Sequence, residues 1–130
     1  MHRRFIQWAA LLGALAVALG AFGAHGLKKF VPAESISTFE TGVRYQFYHV
    51  FALLLVAILY ERFPVKWLRF AGNCFLLGIA LFSGSLYLLT AFKATETVGL
   101  EKFGIITPIG GLFFIAGWLL LIAGVGRKEK

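Results

Sequence analysis

The chain has 130 residues, of which 59% are hydrophobic and only 15% charged, with a formal net charge of +7. Soluble domains carry about 25% charged residues, and a soluble domain of this length could not bury so much apolar surface, so the composition excludes an ordinary soluble protein. The basic residues flank apolar runs and form no stripe interleaved with aromatics, so they point to membrane topology and anionic lipid and away from nucleic acid.

A spanning helix needs about 20 mostly apolar residues. Four such segments are expected, at about 5–25, 43–60, 67–92 and 105–125. The reading is all-α, one membrane domain over residues 1–130, a four-transmembrane-helix bundle with a short amphipathic interfacial helix between spans 1 and 2.

In span 1, Arg3 and Arg4 precede a run nearer 20 residues than the 7–15 of a signal peptide, which favours a retained span over a cleaved one. Small residues recur four apart (Ala9 with Gly13, Ala16 with Gly20, Gly20 with Ala24). This spacing lets backbones approach closely and places span 1 inside the bundle or at a subunit contact. Pro32 suits a first helical position and Ser37 with Glu40 has capping-box spacing. Ile36, Phe39, Val43 and Phe47 recur at helical intervals, so this segment is expected as an interfacial helix that bends into span 2, with Gly42 a candidate bend.

The 61–66 loop is short and contains Pro64, which makes spans 2 and 3 antiparallel neighbours. Cys74 stands alone and reads as a small buried hydrophobe. Thr107-Pro108 looks like an N-cap followed by the first helical residue of span 4.

Loop charge sets orientation. Arg3, Arg4, Arg62, Lys66, Arg69, Arg127, Lys128 and Lys130 lie on the side of the termini; Lys28, Lys29, Arg44, Lys93 and Lys102 lie on the other, with Glu34, Glu40, Glu96 and Glu101. Both termini are therefore expected in the cytoplasm. Trp8 and Trp67 fit the inner interfacial belt, whereas Trp118 falls near the midplane and reads as core packing.

Polar side chains in a bilayer are costly and tend to be paired or functional. By depth, His25, Tyr45, His49, Ser83, Ser85, Tyr87 and Thr107 all fall in the outer half, with Glu40 and Arg44 just above His49. Their common level describes a polar pocket at the outer face. The same residues also suit interhelical hydrogen bonding and interfacial belts. His25, His49 and Glu40 could supply three zinc-type ligands, and His25 with His49 could flank a haem, but no close-spaced ligand pair supports either. A serine hydrolase would lack any Asp and any GxSxG elbow. No metal or other cofactor is expected. An anionic headgroup is chemically easier: Arg44 or Lys102 supplies charge, and Thr107, Gly110 and Gly111 offer an unshielded helix N-terminus.

Four pieces carry a resemblance: Gly20-Ala21-Phe22-Gly23-Ala24-His25-Gly26-Leu27; Tyr45 with His49; Phe82-Ser83-Gly84-Ser85-Leu86-Tyr87; and Gly104-Ile105-Ile106-Thr107-Pro108-Ile109-Gly110-Gly111. In this order they resemble the small membrane family called domain of unknown function 423, the YgdD-like proteins. The resemblance implies a four-span protein of bacterial inner membranes and no stated activity. Three functions remain open: a lipid-binding or transport module, which would need a homo-oligomer; an accessory subunit of a larger membrane complex; and a membrane enzyme. The first is favoured.

Overall fold

The computed structural model describes residues 1–96, 99 and 101–126. Among them the chain is helical without strands: α1 (Arg3–His25), α2 (Ala33–Leu59), α3 (Lys66–Gly78), α4 (Gly84–Ala94) and α5 (Ile106–Gly126). A π-helical segment, Ile79–Ser83, joins α3 to α4, so that Lys66–Ala94 forms one continuous span. Four helical segments are long and apolar enough to cross a membrane: Arg3–His25, Ala33–Leu59, Lys66–Ala94 and Lys102–Gly126. The four-helix bundle read from the sequence is present. The basic tail Arg127, Lys128 and Lys130, used in the charge balance, lies outside the described residues.

The amphipathic segment between spans 1 and 2 is helical, and it is continuous with span 2. Pro32 caps α2 from outside, in extended backbone at ψ 165°, so the helix opens at Ala33, one residue later than expected, and runs through Gly42 without interruption. Ser37 and Glu40 consequently lie inside the helix and form no capping box. Gly42 serves packing: a β-carbon there would meet the Tyr87 ring at 2.9 Å. At span 4, Thr107 and Pro108 fall within the first turn of α5, since a 3-10 turn over Glu101–Ile105 runs into the helix and Ile106 opens it.

The small residues of α1 face α2. Gly13 lies against Val50, Gly20 against Val43 and Gly23 against Phe39, an antiparallel register in steps of a heptad or less. Ala9, Ala16 and Gly23, seven apart, are buried in this contact. α1 thus lies at the edge of the bundle rather than inside it, packed chiefly on α2.

A second glycine ladder joins α5 to span 3. Gly110, Gly117 and Gly124 receive Phe82, Phe75 and Leu68, again seven apart on both helices and antiparallel. Gly78 in turn accepts the ring of Phe114. Glycine here removes the side chain that would hold two backbones apart, which in lipid is the main route to tight helix packing. At Gly110 the neighbour is the backbone of Leu81 and Phe82 itself.

Candidate functional site

The polar residues form three separate contacts between helices. The first joins α1, α2 and span 3. Ser83, fully buried in the π-helical segment, donates to the carbonyl of Gly42 at 2.6 Å. The Tyr87 ring lies over Gly42, and its hydroxyl donates to Gln46 Oε1 at 2.7 Å. Gln46 Nε2 completes the chain by donating to the Leu12 carbonyl of α1 at 2.6 Å. π-Helical segments frequently mark functional positions, and this one carries Ser83 at its end.

The second contact joins α2, α3 and α5 at mid-depth. His49 Nδ1 lies 2.7 Å from the Tyr45 carbonyl. A carbonyl can only accept, so Nδ1 carries the proton and Nε2 is left as an acceptor. The indole Nε1–H of Trp118 donates to that nitrogen at 3.1 Å. The imidazole stacks on Phe114, centroids 3.5 Å apart, and packs against the buried ring of Phe75 at 5.7 Å. Tyr45 continues the aromatic group through Phe82 at 4.7 Å. α2 and α5 are bridged here chiefly by side chains.

The third contact joins α4 to α5. Ser85 Oγ donates to the Phe82 carbonyl at 2.8 Å and so accepts from the Thr107 hydroxyl at 2.5 Å. Among the described residues no buried side-chain polar atom lacks a partner, as expected where water is absent.

The sequence had put all nine candidates at one outer level. Tyr45, His49, Ser83, Ser85, Tyr87 and Thr107 do meet other helices. His25, Glu40 and Arg44 are exposed and do not converge with them. The shared depth of His25 and His49 is corrected: His25 ends α1 just beyond Gly23, which faces Phe39, and His49 lies ten residues further down α2, roughly 15 Å along the axis. The physical reason is the early start of α2, which makes His49 a central residue of its helix instead of a first-turn one. Among the described residues no three His, Cys, Asp or Glu side chains gather as a metal set.

The N-terminal end of α5 is likewise not an open cradle for an anion. The space at Gly110 is filled by the Phe82 backbone, the Thr107 hydroxyl is committed to Ser85, and Pro108 has no N–H. Gln46 and Trp118 were missed as members of the polar set. Gln46 sits one turn from both Gly42 and His49, and the mid-depth position of Trp118 was itself the signal of a buried acceptor.

The family model for proteins of unknown function DUF423 matches residues 19–111. A "UPF0382 membrane protein" of Haemophilus influenzae is 43% identical over all of this chain and 99% of its own length. The "UPF0382 inner membrane protein YgdD" of Escherichia coli K12 is 38% identical, covering 100% of this chain and 95% of that protein. The "UPF0382 membrane protein YwdK" of Bacillus subtilis is 40% identical over 91% and 92%. No solved structure matches. With the four spans and a match from the end of α1 to the start of α5, the chain belongs to the DUF423 family of small membrane proteins.

Proposed function

We propose that this is a non-enzymatic protein of the bacterial inner membrane, termini in the cytoplasm, that takes a membrane lipid or small amphiphile along the seam between α2 and α5. The observation that carries the reading is the seam itself. Trp118 is 42% exposed and Tyr45 37% exposed on its rim, over a floor of His49, Phe82 and Phe114. An apolar chain would lie against the exposed faces of Trp118 and Tyr45 and the half-buried Phe82, and its polar part would reach the Tyr45 hydroxyl, which has no partner among the described residues. The inner-membrane label of the Escherichia coli relative and the basic residues beside the termini support the location.

Against catalysis stand the hydrogen bonds. The Ser83 and Ser85 hydroxyls donate to carbonyls and both nitrogens of His49 are engaged, so neither of these serines faces a free base there. The second reading is an accessory subunit in a larger membrane complex, and α1 favours it: packed chiefly on α2, it leaves Trp8, Leu11, Leu15 and Val17 uncovered.

Native mass spectrometry of gently extracted protein, beside the Trp118→Ala and Tyr45→Phe variants, tests this. A discrete bound mass, lost in Trp118→Ala and weakened in Tyr45→Phe, is expected. A clean apo protein overturns the ligand reading, and a stoichiometric second polypeptide retained by all three forms would favour the accessory role.

A further inference from the structure

The outward face of α2 carries a pattern that neither the bundle nor lipid explains. Thr41, Arg44, Tyr48, Phe51, Leu55 and Ile58 follow one another at alternating spacings of three and four. At 3.6 residues per turn these share one face, opposite the side that meets α1 and span 3. All are exposed except the half-buried Thr41. Alternating threes and fours is the seam spacing of two helices packed knobs-into-holes.

Depth makes the upper half of this seam costly in lipid. Gly20 of α1 stands opposite Val43 and Gly13 opposite Val50. Arg44 therefore lies about one turn inside the zone that the apolar run of α1 defines, and Tyr48 lies near its middle. Charged residues at such depth almost always face protein or water. Arg44 faces neither in the single chain: among the described residues the one ion pair joins the Met1 ammonium to Glu61, and Arg44 and Glu40 make none. Tyr48 is 52% exposed, with its ring edge-on to Tyr45 at 5.6 Å and its hydroxyl unpartnered among the described residues. An arginine could extend toward the headgroups, but acyl chains offer a mid-depth hydroxyl nothing.

We propose that a second copy of this chain packs on this face, α2 against α2, about a two-fold axis normal to the membrane. Both copies insert with one orientation, so the two helices run parallel and equal positions meet. The face is self-complementary in charge. Arg44 of each copy lies one turn below Glu40 of the other, and the four groups form a closed network in which the two arginines at the axis are neutralised by two carboxylates. A tyrosine hydroxyl both donates and accepts, so the two Tyr48 hydroxyls satisfy each other. Below them Phe51, Leu55 and Ile58 interdigitate.

The test uses full-length protein in native membranes, in a Cys74→Ala background. Leu55→Cys is expected to crosslink to its own copy with a short bismaleimide, while Ile122→Cys, more exposed still on α5, does not. Glu40→Arg and Arg44→Glu each abolish the Leu55→Cys crosslink, and the double exchange restores it. Glu40, Arg44, Leu55 and Ile122 are exposed and Cys74 is half-buried, and a monodisperse profile in detergent confirms that each variant folds. A folded protein with no crosslink at 55, a crosslink at 122 in its place, or charge reversals without effect would overturn the proposal. So would a monomer that keeps a bound lipid mass lost in Tyr48→Phe. None of these readouts depends on a ligand in the α2–α5 seam.

Discussion

The indole nitrogen of Trp118 donates to Nε2 of His49 across 3.1 Å, tying α5 to α2 in the middle of the bundle. Because His49 Nδ1 is held by the Tyr45 carbonyl, the imidazole is fixed in the one tautomer that can accept the indole. Interhelical hydrogen bonds in membrane proteins contribute about 0.6 kcal/mol on average and at most about 1.7. A double-mutant cycle with His49→Phe and Trp118→Phe, read by unfolding in mixed micelles, is expected to give a coupling in that range. Strict additivity would mean the pair contributes nothing.

The ladder between α5 and span 3 gives a sharper expectation. At Gly110 an added methyl group meets the Phe82 backbone, which cannot step aside, whereas at Gly124 it meets the end of the Leu68 side chain. Overpacking typically costs about 1–3 kcal/mol. Gly110→Ala should therefore lower the melting temperature in detergent more than Gly124→Ala. Gly84→Ala, where the new β-carbon meets nothing within 4 Å, should be neutral or mildly stabilising, because alanine is the better helix former. Equal melting temperatures for Gly110→Ala and Gly84→Ala would contradict the register.

The spans were legible because twenty apolar residues in a row have few other uses, and the small residues of α1 announced close packing. Their direction was less legible. Ala9, Ala16 and Gly23 face α2, and no spacing within one helix tells which neighbour fills it. The start of span 2 was misread because the charged, amphipathic stretch before position 43 was read as a separate interfacial helix that bends into the span; a helix does not stop for charges that can face outward. That single shift of boundary separated His25 from His49 and left Glu40 and Arg44 outside the polar set. The heptad of Gly110, Gly117 and Gly124 stood in the sequence, but Gly110 beside Pro108 also reads as an anion cradle. Only the approach of Phe82 distinguishes the two.

Gln46 offers a graded comparison within the first polar contact. It accepts from Tyr87 and donates to Leu12, so Gln46→Ala removes two interhelical bonds, while Tyr87→Phe removes one and leaves Gln46 Oε1 unpaired. At about 0.6 kcal/mol per bond, Gln46→Ala should cost roughly twice as much from lost bonds, plus a cavity contribution. Gln46→Leu, which refills the volume, should recover part of the loss. Unfolding free energies of the three variants check the order.

His2 closes the end of the bundle that carries the termini. Its amide donates to the Ala57 carbonyl at 3.0 Å, its Nδ1 accepts from the Phe5 amide at 3.3 Å, and its ring stacks on Phe5 at 3.8 Å. Burial pushes its pKa below the ordinary 6.5, with Arg69, Arg4 and the terminal ammonium acting in the same direction against the backbone hydrogen bond. The neutral ring is thus favoured in the folded state, and the released N-terminus takes up a proton first. The stabilisation is fully present above pH 6.5 and is lost as pH falls below it toward the folded-state pKa. Hydrogen exchange at the Phe5 amide should quicken on acidification beyond the intrinsic rate change, and His2→Asn, which keeps a capping acceptor, should remove that extra response.

Eight basic residues on the side of the termini against five on the other predict an orientation with both termini in the cytoplasm. The structure puts Arg62, Lys66 and Arg69 at the α2–α3 turn, at the same end of the bundle as His2, whose amide bonds Ala57 near the end of α2. Positive charge there resists translocation. A reporter active only in the cytoplasm should therefore work when fused to either terminus, and a cysteine at position 99 should react with an impermeant maleimide from outside. Moving charge offers the stricter check: Arg62→Gln, Lys66→Gln and Arg69→Gln together bring the balance to five against five and should yield a mixed population. A population that remains wholly oriented would show that the charge of this turn does not decide how the chain inserts.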